Sequence, residues 1–176
     1  MKFDMVMVCP PWKRFGVYRR RPIILGDEIP PKTQRALEAF EFIEHTLRDF
    51  TSSDHMVYLW VNQKNVIDCR AYMSRLGYEM RGSIMWVRPK WKPGSYEKTV
   101  EFLLVGSKGK IPAFSNEYMN MIESAFTGMV TNRLAKPKDA YELLEMEFPG
   151  SRRLQLYGWT RRPGWTVFHR NDQKIK

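Results

Sequence analysis

The sequence has few of the residues from which disulfide frameworks and metal sites are built. Its 176 residues include two cysteines, Cys9 and Cys69, and three histidines, and these do not stand at any zinc-ligand spacing. No apolar run reaches the ~18–20 residues that cross a bilayer, and no charged-then-apolar leader precedes the first strand-like run. These absences predict a cytoplasmic protein in a reducing compartment, without a structural metal and without a membrane partner.

Positive charge interleaved with aromatic side chains is what the sequence has in excess. It holds 29 Lys and Arg against 19 Asp and Glu, a formal net charge of +10, and 14% of its residues are aromatic. Basic side chains neutralise phosphates, and aromatic faces stack unpaired bases. The composition therefore favours a nucleic-acid partner, and a solvated basic surface over an aromatic-rich core is the alternative.

The apolar pattern predicts strands that alternate with helices in one domain spanning residues 1–176. Short apolar runs predict buried strands at 3–8, 56–61, 83–87, 102–105, 154–157 and 165–168. Helical spacing predicts helices at 33–50, 64–76 and 138–148. Residues 13–32 are expected to form a long loop, and residues 107–135 fit no single period. The order predicts an α/β fold with a mostly parallel sheet and helices on both faces.

Two short segments directly follow predicted strands. Cys9, Pro10, Pro11 and Trp12 follow the first strand, and Gly158 and Trp159 follow the strand that ends at Tyr157. Ligands of open parallel sheets bind beyond the carboxyl ends of the strands. We therefore expect the two segments to face one crevice.

Further blocks accompany the first motif in a fixed order, at residues 58–62, 76–78, 85–88, 101–109, 136–137, 152–158 and 162–165. Together with residues 3–12 they resemble the adenine-N6 methyltransferases typified by the catalytic subunit of the eukaryotic mRNA methyltransferase, a family with small bacterial and phage relatives. The resemblance implies a Rossmann-like class I methyltransferase fold and S-adenosylmethionine as cofactor. It also implies methylation of N6 of adenine in nucleic acid. If a phage encodes the chain, the expected location is the cytoplasm of its host.

The first motif suits the chemistry that the resemblance implies. The exocyclic amine of adenine is a poor nucleophile because its lone pair is conjugated into the ring, so its N–H protons must meet acceptors. A side-chain carboxylate and the carbonyl of the following proline supply two acceptors, and stiff prolines aim them. Trp12 offers an extruded base a stacking face. Cys9, Pro10, Pro11 and Trp12 are therefore the expected catalytic residues.

Cys9 stands where the family has aspartate, and a neutral thiol is a weak acceptor. Three interpretations follow: reduced activity with the Pro10 carbonyl as main acceptor, a changed acceptor chemistry, or a degenerate nucleic-acid-binding subunit that serves an active partner. A covalent nucleophile would need activation and a different motif. A small buried residue at a strand end is the structural alternative to the nucleophile.

The resemblance also implies a binding site for S-adenosylmethionine. Lys136 matches the residue that pairs with the methionine carboxylate, and the segment after Tyr157 passes the ribose and adenine. The expected cofactor-binding residues are Lys136, Tyr157, Gly158, Trp159 and Asn171. Trp159 stands where relatives usually have arginine, and Asn171 is a neighbouring substitute for the usual Gly-Asn pair. A solvated lysine at 136 and a core aromatic at 157 are the alternatives.

The loop after the first motif is where relatives close over the target base. We expect phosphate contacts and a lid from Lys13, Arg14, Tyr18, Arg19, Arg20 and Arg21. A mobile solvated loop is the alternative. Glu101 matches a family glutamate, but as a lone acid it is not expected to be catalytic. DNA is the expected substrate rather than RNA, by analogy with the small microbial relatives, and a homodimer or a heterodimer with a related subunit is the expected assembly.

Overall fold

The computed structural model describes residues 1–10, 31–87, 100–116, 125–127, 136–158 and 161–168. One sheet contains seven strands, which are β1 (Phe3–Val8), β2 (Thr51–Asn62), β3 (Glu79–Val87), β4 (Val100–Lys108), β5 (Ala125–Thr127), β6 (Arg153–Leu156) and β7 (Trp165–Phe168). Their spatial order is β5-β3-β4-β2-β1-β6-β7. Only β4 runs against its neighbours, antiparallel to both β2 and β3. The mostly parallel sheet predicted from the sequence is confirmed.

Helices cover both faces of this sheet, as predicted. The described residues contain α1 (Pro31–Phe50), α2 (Val66–Arg75) and α3 (Lys138–Glu147). Successive side chains of a strand point to opposite faces. Val6 of β1 therefore joins the buried cluster of α1 and α2, and Met7 joins the cluster of α3. The sheet is apolar on both sides because each side carries a helix layer.

Element boundaries differ from the sequence predictions where polar residues are tied into the fold. β2 begins at Thr51, although the apolar run starts only at Met56. Its polar first half is held by hydrogen bonds, such as that from Ser52 Oγ to Asp4 Oδ1 at 2.7 Å and that between His55 Nε2 and Tyr78 Oη at 2.8 Å. Apolar periodicity does not detect such a segment. The same limit applies to β5, which the sequence did not predict.

The remaining boundaries agree more closely. α1 begins at Pro31, two residues before the predicted start, and proline suits the first turn of a helix because it needs no N–H partner there. The predicted helix at 64–76 consists of a short 3-10 turn, Gln63–Asn65, followed by α2. The rest of the predicted loop at 13–32 lies outside the described residues.

An ion pair fastens the edge of the sheet at which β1 and β6 begin. Arg152 donates from Nε and Nη2 to the two oxygens of Asp4, at 2.9 and 2.8 Å. These hydrogen bonds hold the pKa of the Asp4 carboxyl well below its usual range. The Asp4 carboxylate is therefore paired within the fold, at the edge of the sheet opposite to Cys9. Within the described segments, no helix is long and apolar enough to cross a membrane.

Candidate active site

The carboxyl ends of β1 and β6 meet at one edge of the sheet. The Cys9 backbone N–H donates to the Leu156 carbonyl at 3.0 Å, so the first residue after β1 is held against the last residue of β6. Gly158 follows two residues later, and both Cys9 and Gly158 are buried. The fold thus brings the beginning of each predicted segment to the same edge.

The Cys9 thiol lies in a buried and mostly apolar environment. Its residue is 5% exposed, and Gln155 Nε2 donates to Sγ at 3.8 Å. Burial raises the pKa of Cys9 to about 11, against an opposing effect of the positive charge on Lys136. The thiol is therefore protonated at neutral pH, which makes it neither a charged acceptor nor an activated nucleophile.

We expect both cysteines of the folded protein to resist alkylation. Burial raises the pKa of Cys69 to about 12, so neither residue exposes a thiolate. Iodoacetamide at about pH 8 should label denatured protein at both positions and leave folded protein unlabelled over the same time, as measured by mass spectrometry. Rapid labelling of Cys9 in the folded protein would contradict this environment and would revive the nucleophile interpretation.

Gln155 lies beneath the edge and explains the glycine at position 158. Its side chain is 2% exposed, and its Nε2 donates to Tyr141 Oη at 2.6 Å. A Cβ atom added to Gly158 would lie 2.2–2.6 Å from the carboxamide of Gln155. No side chain fits there without displacing Gln155. Packing against Gln155 therefore accounts for a glycine at position 158 without any ligand. The contact of Gly158 with a cofactor stays a prediction.

Tyr157 directs its side chain away from Cys9. Its φ of 61° is the only positive value of a non-glycine residue in the part of the chain described. The ring packs edge-on against Phe42 of α1 at 5.3 Å, and Oη donates to the Ala39 carbonyl at 3.4 Å. The side chain therefore occupies the core position that the sequence left open as an alternative. A cofactor contact at this residue stays a prediction for its backbone.

Lys136 and Glu101 form an ion pair at this edge. Lys136 lies two residues before α3, and Glu101 lies near the start of β4; each side chain is 15% exposed. The ammonium lies 4.9 Å from the ring centroid of Trp60 and 5.8 Å from that of Trp86. Attraction to these ring faces and to the carboxylate fixes the cation. Lys136 is thus not a solvated helix-start lysine, and Glu101 is not a lone acid.

Sequence reasoning did not place Glu101 in the site because its partner is distant in the chain. The strand pairing brings it there: Glu101 stands opposite Asn62, the last residue of β2. Since β4 is antiparallel to β2, the start of β4 meets the carboxyl end of β2. In the sequence, Glu101 is marked only by its position immediately before an apolar strand. That position does not show whether the strand runs parallel or antiparallel to its neighbours.

Several predicted site residues lie outside the described residues, so their assignments stay predictions. They are Pro11, Trp12, Lys13, Arg14, Tyr18, Arg19, Arg20, Arg21, Trp159 and Asn171. A groove of about 230 Å³ between α1 and α2 lies on the other face of the sheet and contains none of the predicted site residues. Among the residues described, no cluster of three potential metal ligands occurs.

The fold and the order of the sequence blocks define the class of protein. A mostly parallel α/β sheet, with Cys9, Pro10 and Lys136 at the carboxyl ends of its strands, is the architecture of a Rossmann-like methyltransferase. The sequence model of the MT-A70 family matches residues 3–170, so the chain belongs to the MT-A70 family of adenine-N6 methyltransferases. The resemblance inferred from the sequence and the Rossmann-like fold are therefore confirmed. No curated protein matches the chain.

Proposed function

We propose that this protein transfers a methyl group from S-adenosylmethionine to N6 of adenine in DNA. The membership of a methyltransferase family gives the reaction type. The observation that carries the finer proposal is the Lys136–Glu101 ion pair, which lies at the same edge as Cys9 and Pro10. Partly buried charges at a candidate ligand-binding edge are more typical of function than of stability, because removing an ion pair from water seldom stabilises a fold.

The charge of Lys136 fits the amino-acid end of the methyl donor. An ammonium held by one carboxylate within the fold can exchange part of that pairing for the carboxylate of a bound ligand. When bound, S-adenosylmethionine supplies a methyl group on a positively charged sulfur, and the sulfur keeps the electron pair of the broken bond. Trp60 and Trp86 keep the Lys136 ammonium in place on the protein side.

The chain itself must orient the amine and take up its proton. The Pro10 carbonyl directly follows Cys9 at the edge, and it accepts a hydrogen bond from one amine N–H. The protonated Cys9 thiol contributes little as an acceptor, since its pKa is raised to about 11. An amine held by an acceptor in line with the methyl group gains the orientation that the reaction needs.

The choice of a nucleic acid rests on charge, and the choice of DNA rests on analogy with the small microbial relatives. A net charge of +10 attracts any nucleic acid, and the resulting affinity falls with salt concentration. It does not distinguish DNA from RNA. The comparison of the two substrates is therefore part of the experiment.

The proposal is tested by cofactor binding followed by methyl transfer. Calorimetry of the purified protein should show S-adenosylmethionine binding at about micromolar Kd. Radiolabelled methyl groups should then enter randomised DNA oligonucleotides, and mass spectrometry of the nucleosides should identify N6-methyladenine. Matched RNA and adenine-free DNA pools serve as controls. Greater methylation of RNA would contradict the substrate, and no methylation with no cofactor binding would contradict the activity.

The second candidate is a catalytically degenerate subunit that binds nucleic acid for an active partner. The neutral Cys9 thiol favours it, because the acceptor carboxylate of the family is absent. If the chain is such a subunit, we expect it to bind nucleic acid in a salt-sensitive manner, to bind no S-adenosylmethionine, and to form a heterodimer with a related methyltransferase. The enzyme proposal instead expects cofactor binding by the chain alone or as a homodimer.

A further inference from the structure

We propose that Glu101 supplies the carboxylate that position 9 lacks, as the second acceptor for the target amine. The inference rests on the proposed methyltransferase function and names a residue outside the Cys-Pro-Pro-Trp motif. In the reaction, N6 gains the methyl carbon and loses one proton. Glu101 accepts the hydrogen bond of that N–H and then the proton, which passes to solvent when the product leaves.

The strand register places Glu101 on the same face of the sheet as Cys9. Trp60 of β2 pairs with Leu103 of β4, and both share a buried cluster with Cys9. Glu101 is two residues from Leu103 along β4, so its side chain points to the same face. Cys9 follows β1, which is two strand spacings from β4, roughly 10 Å across the sheet, and Glu101 lies about two residues, roughly 7 Å, further along the strand direction. Trp60, which is fully buried, lies between them on β2, and the Lys136 ammonium lies 4.9 Å from the centroid of its ring.

Lys136 holds the Glu101 carboxylate in a defined position. The cation lies on the Trp60 face and pairs with Glu101, so the carboxylate is held at this edge of the sheet with little freedom. An ionised carboxylate has two oxygens and about four acceptor sites, so it can accept from more than one donor. A fixed acceptor needs no reorganisation when charge develops on the amine.

The electrostatics of position 9 show that Glu101 is close enough to affect it. Besides burial, the charges of Lys136 and Glu101 act on the Cys9 thiol, the first lowering and the second raising its pKa. An aspartate at position 9 would place two carboxylates around one lysine, whereas a neutral cysteine leaves one carboxylate with one lysine. Among Cys9, Glu101 and Lys136, the negative charge of Glu101 therefore balances the positive charge of Lys136.

Substitution of the acid, with a rescue at position 9, tests the proposal. We expect Glu101→Gln to lower kcat for DNA methylation by about 100-fold, the usual contribution of a positioned proton acceptor. The Kd for S-adenosylmethionine should change by less than about threefold, since the acceptor faces the amine. The double variant Cys9→Asp/Glu101→Gln should regain at least about tenfold in kcat over Glu101→Gln, because a carboxylate returns on the other side of the crevice.

Two further variants guard the interpretation. Glu79→Gln is the matched control, because Glu79 is an exposed acid paired with Arg81 at the opposite edge of the sheet. It should leave kcat unchanged. Glu101→Asp keeps the charge facing Lys136 but shortens the side chain, so it should lower kcat while preserving the unfolding temperature. This variant keeps the test valid if Glu101→Gln fails to fold.

The outcomes separate this inference from the proposed function. An active wild type with an equally active, folded Glu101→Gln variant overturns the role of Glu101 alone. Loss of cofactor binding in Glu101→Gln also overturns it and assigns the ion pair to cofactor binding. A double variant without recovery of kcat overturns the role of Glu101 as an acceptor. A wild type that methylates no nucleic acid overturns the proposed function, and the inference with it.

Discussion

Replacement of Lys136 by alanine is expected to weaken S-adenosylmethionine binding by about 100-fold, or ~2.7 kcal/mol. The Lys136 side chain is 15% exposed, and its charge opposes the effect of burial on the pKa of Cys9, so its field reaches the residue that follows β1. A ligand carboxylate that loses its cation in a partly buried site keeps the desolvation cost without the attraction. Calorimetry on the folded variant measures the effect.

Stability must be separated from binding in this experiment. Lys136→Ala leaves Glu101 as a partly buried carboxylate without its ion-pair partner, which should lower the unfolding temperature. The double variant Lys136→Ala/Glu101→Gln removes both charges, so it should recover stability without recovering cofactor binding. Lys108→Ala is the matched control, because Lys108 lies over the Tyr78 ring at the far end of β4. Unchanged binding in Lys136→Ala would remove Lys136 from the cofactor site.

Cys9→Asp is expected to raise kcat for methyl transfer by about tenfold. The new carboxylate would stand next to the Pro10 carbonyl, where the family has aspartate, and would add a charged acceptor to the one proposed for Glu101. Burial disfavours its ionisation, but the neighbouring charge of Lys136 favours it, as that charge already lowers the pKa of the Cys9 thiol. Steady-state kinetics on an unmethylated DNA substrate that the wild type methylates measure the gain.

The control for this gain is a neutral substitution at the same position. Cys9→Ser changes the polarity of the residue without adding a charge, so its kcat should stay close to that of the wild type. A gain in both variants would show that packing, not the carboxylate, limits the reaction. No gain in Cys9→Asp, together with no binding of S-adenosylmethionine, would count against any catalytic role and would support the degenerate-subunit candidate.

The sequence predicted the parts of the fold that are apolar and local. β1 and β7 have the predicted bounds, and α3 ends one residue before the predicted end, because apolar runs and helical spacing are properties of neighbouring residues. The polar half of β2 was not predictable in this way. Its stability comes from hydrogen bonds to Asp4 and Tyr78, which are distant in sequence.

Site residues that belong to a sequence motif could be predicted. Site residues that strand pairing brings to the edge could not. Cys9 and Lys136 carried the family resemblance, and the structure places both at the carboxyl edge. Glu101 and Gln155 enter the site through strand register and burial, which the sequence does not state. The left-handed backbone of Tyr157, which turns its ring into the core, also has no sequence signal, since a tyrosine rarely adopts it.

The reversed direction of β4 has an evolutionary consequence. Because β4 begins where β1 and β2 end, the crevice receives side chains from three distant parts of the chain, near residues 9, 101 and 136. A mutation that removes an acid from one of these parts leaves the backbone of the other two intact, so natural selection can keep a carboxylate elsewhere in the crevice. If Glu101 has the role proposed above, surveys that judge family members by a four-letter motif would discard active enzymes. A sounder criterion is the set of acids that the folded sheet gathers at this edge.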